Sequence, residues 1–298
     1  MTSQPIDRFE AARPQLRAIA YRMLGSVEDA EDAVQEAWLR LSQWSARENR
    51  GVENEAENIA NLDAWLTTVV ARICLNTLRA RRTGEQTLAR LPDPIVDFEG
   101  ASDPEHRALL GDAVGLALLV VLDTLAPAER LAFVLHDAFA VPFEQIAPIV
   151  ERSPEATRKL ASRARRRIQQ AGPVPESDVA TGREARDVVA AFFAAGRSGH
   201  FDRLIAVLHP DVVLRGDLGS GTPVVRAEGA SVVAELARSY AGPERDVQAA
   251  TVNGTAGAVV SVAGRATAVL AFVVHDRRIT AIDVLADPDR LARLGLDR

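Results

Sequence analysis

The hydrophobic period changes once along this 298-residue chain, near residue 171, and that change limits what each part can become. Before it, apolar residues recur every three or four positions, the spacing that puts them on one face of a helix. After it come two or three helical stretches and then short, β-branched, alternating runs separated by turn residues. One packing scheme cannot absorb both patterns. The chain is therefore expected to hold helical domains followed by an α+β domain, and its length accommodates two or three domains.

In the helical part, Gly25 stops one helix and Ser26 to Leu41 forms the next, with Ser26 and Asp29 in the S-x-x-[DE] capping arrangement. Its apolar face is Ala30, Ala33, Val34, Ala37, Trp38 and Leu41, and its outer face is acidic. Leu62 to Arg82 is a second strong helix, with Leu62, Trp65, Leu66, Val69, Val70 and Ile73 as its core stripe. Arg72, Asn76 and Arg79 share another face, extended by Arg81 and Arg82, and suit phosphates and unpaired bases. Trp65 offers a stacking surface, but its place on the stripe favours the core. Gly84 to Arg107 carries Pro92, Pro94 and Pro104 among acids and reads as a linker.

Helical character resumes at Gly111 to Asp123, turns at Leu125 to Pro127 and continues through Ala128 to Phe139. Phe143 to Val150 is a helix that Pro148 is expected to keep short or to bend. Glu151 to Ser153 is a tight turn, and Ser153 to Gln170 is the most basic stretch of the chain, containing its only lysine. Ser153 caps that helix and Pro154 suits its first position. Leu160, Ala164 and Ile168 form a narrow apolar stripe, opposite Arg158, Lys159, Ser162, Arg163 and Arg166. A solvated charged helix has the same pattern, but a short helix, a turn and a basic helix together make a helix-turn-helix, whose second helix enters the major groove of DNA.

The net charge is −6, the opposite of the simplest expectation for a nucleic-acid binder, so any such role must rest on local charge. Acids gather at Glu28 to Glu36, Glu48 to Glu57 and Asp93 to Glu105, arginines at Arg72 to Arg82 and Arg158 to Arg167. Alternating surfaces of this kind suit two different partners. A lone cysteine, Cys74, excludes an internal disulfide framework and a cysteine-rich zinc site and fits a reducing cytoplasm. The N-terminus lacks an apolar signal core, and no stretch is long enough for a membrane span. No membrane, cofactor or metal site is expected.

Ala171 to Gly182 reads as a second linker. Glu184 to Ala195, Phe201 to Leu208 and Ser231 to Ser239 look helical, and a strand begins at Val212 to Leu214. Val247 to Val252, Ala258 to Val262, Arg265 to Val274 and Ile279 to Leu285 then read as an antiparallel meander with turns at Asn253-Gly254, Ala263-Gly264 and His275 to Arg278. His200, His209, Asp217, His275 and Asp283 are the acid-base candidates of this part. None falls in a recognised catalytic motif, and the turn positions of His209 and His275 favour structural or exposed roles.

Asp29-Ala30-Glu31-Asp32-Ala33-Val34-Gln35-Glu36 closely resembles the DAEDxVQE signature of extracytoplasmic-function (group IV) sigma factors. The helix around Trp65, Asn76 and Arg79, followed by Ala128 to Gln170, resembles the second and fourth regions of that family, in the family's order. The likeness covers about residues 9 to 170. It implies that Asp29, Asp32, Gln35, Glu36, Trp38 and Leu39 dock on the coiled coil of the largest subunit of core RNA polymerase. It implies further that Arg72, Asn76, Arg79, Arg81 and Arg82 recognise and melt the minus-ten element of promoter DNA, and that Arg158, Lys159, Ser162, Arg163 and Arg166 read the minus-thirty-five element.

Residues 84–110 would be an interdomain linker, placed in family members in the RNA channel of the polymerase. Arg90-Leu91-Pro92-Asp93-Pro94 resembles the WLPEP motif of a subgroup with a fused C-terminal domain, with arginine in place of tryptophan. The expected layout is a multidomain chain: sigma region 2 over 5–83, the linker over 84–110, sigma region 4 with its helix-turn-helix over 111–171, a linker over 172–182, and an α+β domain over 183–298. That last domain is similar to the SnoaL-like members of the cone-shaped superfamily that includes ketosteroid isomerase. Asp217, Gly219 and Gly221 keep part of the subgroup's DGGGK loop without its lysine, and Asp287-Pro288-Asp289-Arg290-Leu291 approximates its NPDKL motif.

The resemblance implies a non-enzymatic initiation factor whose fused domain regulates by contact, with a small-molecule ligand in that domain as a further expectation. Two other readings stay open on the residues alone: a helix-turn-helix promoter-binding module fused to a ligand-binding, isomerase or hydrolase domain, and a ligand-sensing repressor.

Overall fold

The computed structural model describes residues 4–48, 61–83, 90–98, 115–170, 182–219 and 222–297. They divide into two compact units. One comprises residues 1–86 and 121–171, the other 87–120 and 172–298.

The first unit is helical. Helices α1 (Gln4–Leu24), α2 (Val27–Glu48) and α3 (Leu62–Thr83) pack together around Leu16, Ile19, Met23, Leu41, Leu66 and Leu75, all but excluded from solvent. Gly25 takes φ +71° and ends α1, while the hydroxyl of Ser26 accepts the backbone N–H of Asp29 at 3.4 Å to start α2. Leu116–Asp123 (α4), whose residues 116–120 fall in the second unit, leads to α5 (Pro127–Phe133), which runs on through a π-helical turn at Val134–Ala138. The short α6 (Phe143–Val150) ends at Glu151, which takes a left-handed φ of +57°, and α7 (Pro154–Gln170) follows. Pro148 is carried inside α6, two residues from its end, so the helix is short, as the proline requires.

Ser153 caps α7 as expected, its hydroxyl accepting the N–H of Ala156 at 3.2 Å. The buried stripe of α7 is Thr157, Ala161, Ala164 and Ile168; Leu160 is only half-buried. Small residues prevail there because α7 lies close against α5 and α6. Helix α3 also contacts α5 and α6, so the two helical regions make one body.

Arg130 of α5 is the largest side chain buried in that body. Its Nε donates to the carbonyl of Arg22 at 3.1 Å and its Nη1 to Asp123 at 2.8 Å, while Arg81 donates to the carbonyl of Leu24 at 3.1 Å. Two guanidinium groups thus serve carbonyls that the last turn of α1 cannot satisfy internally, at the negative end of its dipole.

The second unit is α+β. Its seven-stranded sheet has the order β1-β4-β5-β6-β7-β2-β3: β1 Val96–Asp97, β2 Leu208–Asp217, β3 Val225–Glu228, β4 Arg245–Val252, β5 Thr255–Val262, β6 Arg265–His275 and β7 Arg278–Leu285. The expected meander is present from β4 to β7, with positive φ at Asn253, Ala263 and Asp276 in its tight turns. The sheet is nevertheless mixed, because β2 pairs in parallel with β7. Helices α8 (Gly182–Ser198), α9 (Phe201–Val207) and α10 (Ala230–Ser239) cover one face, with Phe192, Leu204, Val233, Phe272 and Ile282 in the shared core. A last helix, α11 (Pro288–Arg293), is capped by Asp287 and contacts β6. Among the described residues, no helix is long and apolar enough to cross a membrane.

Candidate polymerase and promoter interfaces

Helix α2 buries Ala30, Ala33, Val34, Ala37 and Leu41, which leaves Asp32, Gln35, Glu36 and Leu39 exposed along one side. Leu39 is 52% exposed. Trp38 is half-buried and its ring lies 4.9 Å from that of Phe9. Asp29 is tied to Arg81 of α3 at 2.5 Å, and Glu36 pairs with Arg40 one turn on. An apolar anchor inside an acidic strip suits a basic protein surface with an apolar spot.

Helix α3 places Arg72, Asn76, Arg79, Arg81 and Arg82 at its surface, in the half toward its C-terminus, and Trp65 half-buried nearer its start. Within this group, Arg81 is engaged by Asp29 and by the carbonyl of Leu24 in α1. Cys74 sits on the opposite, buried side. Burial pushes its thiol up to about 12, with the positive charge of Arg130 opposing the shift.

On α7 every expected reader, Arg158, Lys159, Ser162, Arg163 and Arg166, is exposed. Arg158 lies 5.3 Å from the ring centre of Phe143, so the first helix of the pair orients it. Arg163 and Arg167 both reach Glu129 at 3.0 Å, and Arg165 holds Asp137 at 2.6 Å. These three pairs bind α7 to α5 and the π-helical turn that continues it. Lys159 pairs with Glu155 at 2.8 Å, both well exposed, a contact worth only about 0.3–0.5 kcal/mol.

The second unit holds a different constellation. The segment 91–97, part of the expected linker, is strapped onto the sheet by its backbone. The N–H of Leu91 donates to Asp217 at 3.0 Å and its carbonyl accepts from Arg290 at 2.7 Å. The N–H of Ile95 donates to the side-chain oxygen of Asn253 at 3.0 Å and its carbonyl accepts the backbone N–H of Asn253 at 2.8 Å, and β1 then adds to the edge of β4. Leu91, Pro92, Pro94 and Ile95 are buried.

Arg290 is 5% exposed and joins the parts: besides Leu91 it binds Asp217 at 2.7 Å and Asp93 at 2.8 Å. One guanidinium thus meets two carboxylates and a carbonyl, a use of its planar fork that lysine cannot match. Gly219 stands at φ +107°, donates its N–H to Asp217 at 3.1 Å, and leaves room for Asp287, which a β-carbon there would approach at 3.2 Å. Asp287 caps α11 through the N–H groups of Asp289 and Arg290, at 3.0 and 3.2 Å, which aims Arg290 at the strap. Arg90 lies 3.8 Å from Asp287. Pro288 is exposed at the start of α11, and Gly221 lies outside the described residues. Sequence reasoning passed over Arg290 as a site residue; its place in the NPDKL-like motif was the available signal.

The acid-base candidates are dispersed. His200 bonds Ser198, His209 accepts the N–H of Asp211, and His275 sits beside Asp276 at the surface. Asp283 is buried in a two-pronged pair with Arg215, at 2.6 and 3.0 Å. Burial pushes its carboxyl above the ordinary carboxylate range, with Arg215 opposing. None of these side chains lines the one cavity described, which lies between the helices and the opposite face of the sheet. Among the described residues, no group of His, Cys, Asp and Glu is placed to hold a metal ion.

Residues 8–83 match the family model of sigma-70 region 2, and residues 115–168 that of sigma-70 region 4. The chain is 36% identical to the ECF RNA polymerase sigma factor SigJ of Mycobacterium tuberculosis, over 96% of this chain and 92% of that one. It is 35% identical to the probable ECF RNA polymerase sigma factor SigI of the same species, over 95% and 93% of the two chains. The crystal structure of Mycobacterium tuberculosis SigJ superposes with a TM-score of 0.74, covering 98% of this chain and all of that one. A region-2 and a region-4 match in order, and likeness over nearly the whole length of such relatives, show that the chain belongs to the extracytoplasmic-function RNA polymerase sigma factors, which bind core polymerase and direct it to promoters.

Proposed function

We propose that this sigma factor is regulated by its C-terminal domain through the linker between the two promoter-reading domains, and that the fused domain is SnoaL-like. The observation that carries the reading is the grip of Asp217, Arg290 and Asn253 on residues 91–97. A linker fixed at that point limits where the region-4 domain can travel when the two regions engage a promoter. The helices followed by a curved meander support the SnoaL-like assignment.

In this scheme Asp29, Asp32, Gln35, Glu36, Trp38 and Leu39 dock on the polymerase, in a cytoplasmic setting. Arg72, Asn76, Arg79, Arg81 and Arg82 serve the minus-ten element, and Arg158, Lys159, Ser162, Arg163 and Arg166 the minus-thirty-five element. Asp217, Gly219, Gly221, Asp287 and Pro288 form the regulatory surface, joined by Arg290, and the cavity of the fused domain takes a small ligand. The domain limits are those set by the motifs: 5–83, 84–110, 111–171, 172–182 and 183–298.

The test is reconstituted transcription with core polymerase, comparing the native chain with Arg290→Met and Asp217→Asn. Release of the linker is expected to change promoter-dependent output at least fivefold with core binding unaltered. Equal output from all three proteins would remove the linker from the account.

A further inference from the structure

The fused domain encloses a cavity of about 220 Å³ between α8, α9, α10 and the sheet. Its wall is mainly apolar, with Phe192, Leu214, Leu270 and Ile282 among its residues. Leu218 and Tyr240, also in the lining, are 39% and 54% exposed, so the space has an apolar threshold open to solvent. An apolar space of roughly 150 Å³ holds one benzene molecule, so this one takes about ten non-hydrogen atoms.

Among the described residues of the lining, the ionisable and hydroxyl-bearing ones are Arg197, Arg245, Tyr240 and Thr267, with no carboxylate or imidazole. Asp283 and Asp217 alternate with Ile282, Val284 and Gly216 along β7 and β2, and so point to the other face of the sheet. Guanidinium groups only donate hydrogen bonds and stay charged, so the fixed charge of this wall is positive. One of those donors is unused: the Nε of Arg245 is buried and has no hydrogen-bond partner. The nearest anion, Glu244, is 3.6 Å away, too far for a hydrogen bond, and its side chain is 57% exposed, which screens it. The guanidinium of Arg245 also lies 5.9 Å from the ring centre of Tyr240, which holds it at the threshold. A buried N–H without an acceptor is a standing cost that an incoming acceptor removes.

Building on the reading of the fused domain as a ligand-binding module, we propose that the cavity binds an apolar monocarboxylic acid of roughly ten non-hydrogen atoms. Its carboxylate meets Arg245 and its chain or ring lies among Phe192, Leu214 and Ile282. Arg245 offers one unsatisfied donor, which suits one carboxylate, and a hydrocarbon without an acceptor would leave it unsatisfied.

Octanoate and its neutral counterpart octanol are the probes, titrated into the full chain by calorimetry. Octanoate is expected to bind at least tenfold more tightly than octanol. Arg245→Gln abolishes that preference, whereas Arg265→Gln, at an exposed arginine outside the cavity, keeps it. Equal binding of the two probes by the native chain overturns the carboxylate assignment and leaves a ligand cavity; so does a preference that survives Arg245→Gln. Failure of both probes to bind overturns the ligand-binding reading with it.

Discussion

Residue by residue, the chain is organised by a few arginines that reach across long sequence separations. Arg290 meets Leu91 and Asp93 from some two hundred positions away, and Arg130 meets Arg22 from more than a hundred. Cys74 lies in the same buried region as Arg130, and its thiol, pushed up to about 12, stays protonated at neutral pH. Iodoacetamide should therefore leave the native chain unmodified for hours at pH 8 and alkylate it within minutes in guanidinium chloride; rapid native labelling would contradict the burial. The Arg215–Asp283 pair makes a second test. Asp283→Leu strands a largely buried guanidinium and should cost about 3–5 kcal/mol, whereas Arg215→Met with Asp283→Leu should be neutral or stabilising, as read by denaturant unfolding. The pH dependence has a definite sign. The folded chain holds the Asp283 proton to higher pH than the unfolded chain, so this contribution to stability is greatest below the ordinary carboxylate range and is lost as pH rises through the folded value. The double variant should lack it. No local pattern announces such residues: a buried arginine and a solvated one look alike until the partner's position is known.

At the scale of elements, the long helices were legible because period and caps agreed. Ser26 and Ser153 both cap as their sequence spacing requires. Three elements were not legible. Val96–Asp97 and Val225–Glu228 are too short to show alternation, and Pro288–Arg293 is a single helical turn and a half that follows a capping aspartate. The parallel pairing of Leu208–Asp217 with Arg278–Leu285 also has no local signature, since the two strands are joined through β3, α10 and the strands β4 to β6. Helix α7 carries the sharpest prediction here. Ser153→Ala should lower stability by about 1 kcal/mol through loss of the cap. Arg158→Ala and Arg166→Ala should weaken holoenzyme binding to promoter DNA. A lost phosphate contact reduces the salt dependence of affinity by about 0.9 per contact, and a lost guanine contact relaxes sequence preference by about 1–3 kcal/mol. Filter-binding titrations across salt concentrations separate the two roles, and unchanged affinity for both variants would remove these side chains from the interface.

For the whole molecule, the proposed scheme reconciles a net charge of −6 with promoter reading, because arginines gather on the exposed faces of α3 and α7 while α2 carries an acidic face. The grammar of the sequence, helical before residue 171 and strand-forming later, was enough to separate the sigma regions from the fused domain. What it could not disclose is that the linker's proline motif belongs structurally with the later part, because that association is made by backbone hydrogen bonds to Asp217, Arg290 and Asn253. The central claim is that the acidic face of α2 delivers this chain to core polymerase, and one measurement addresses it directly. Core polymerase is reconstituted with the native chain or with Asp32→Arg, and run-off transcripts are quantified from genomic fragments that the native holoenzyme itself selects. The account predicts specific transcripts with the native chain and at least a tenfold loss with Asp32→Arg, whose circular dichroism and melting temperature stay native; full transcription from Asp32→Arg would contradict it.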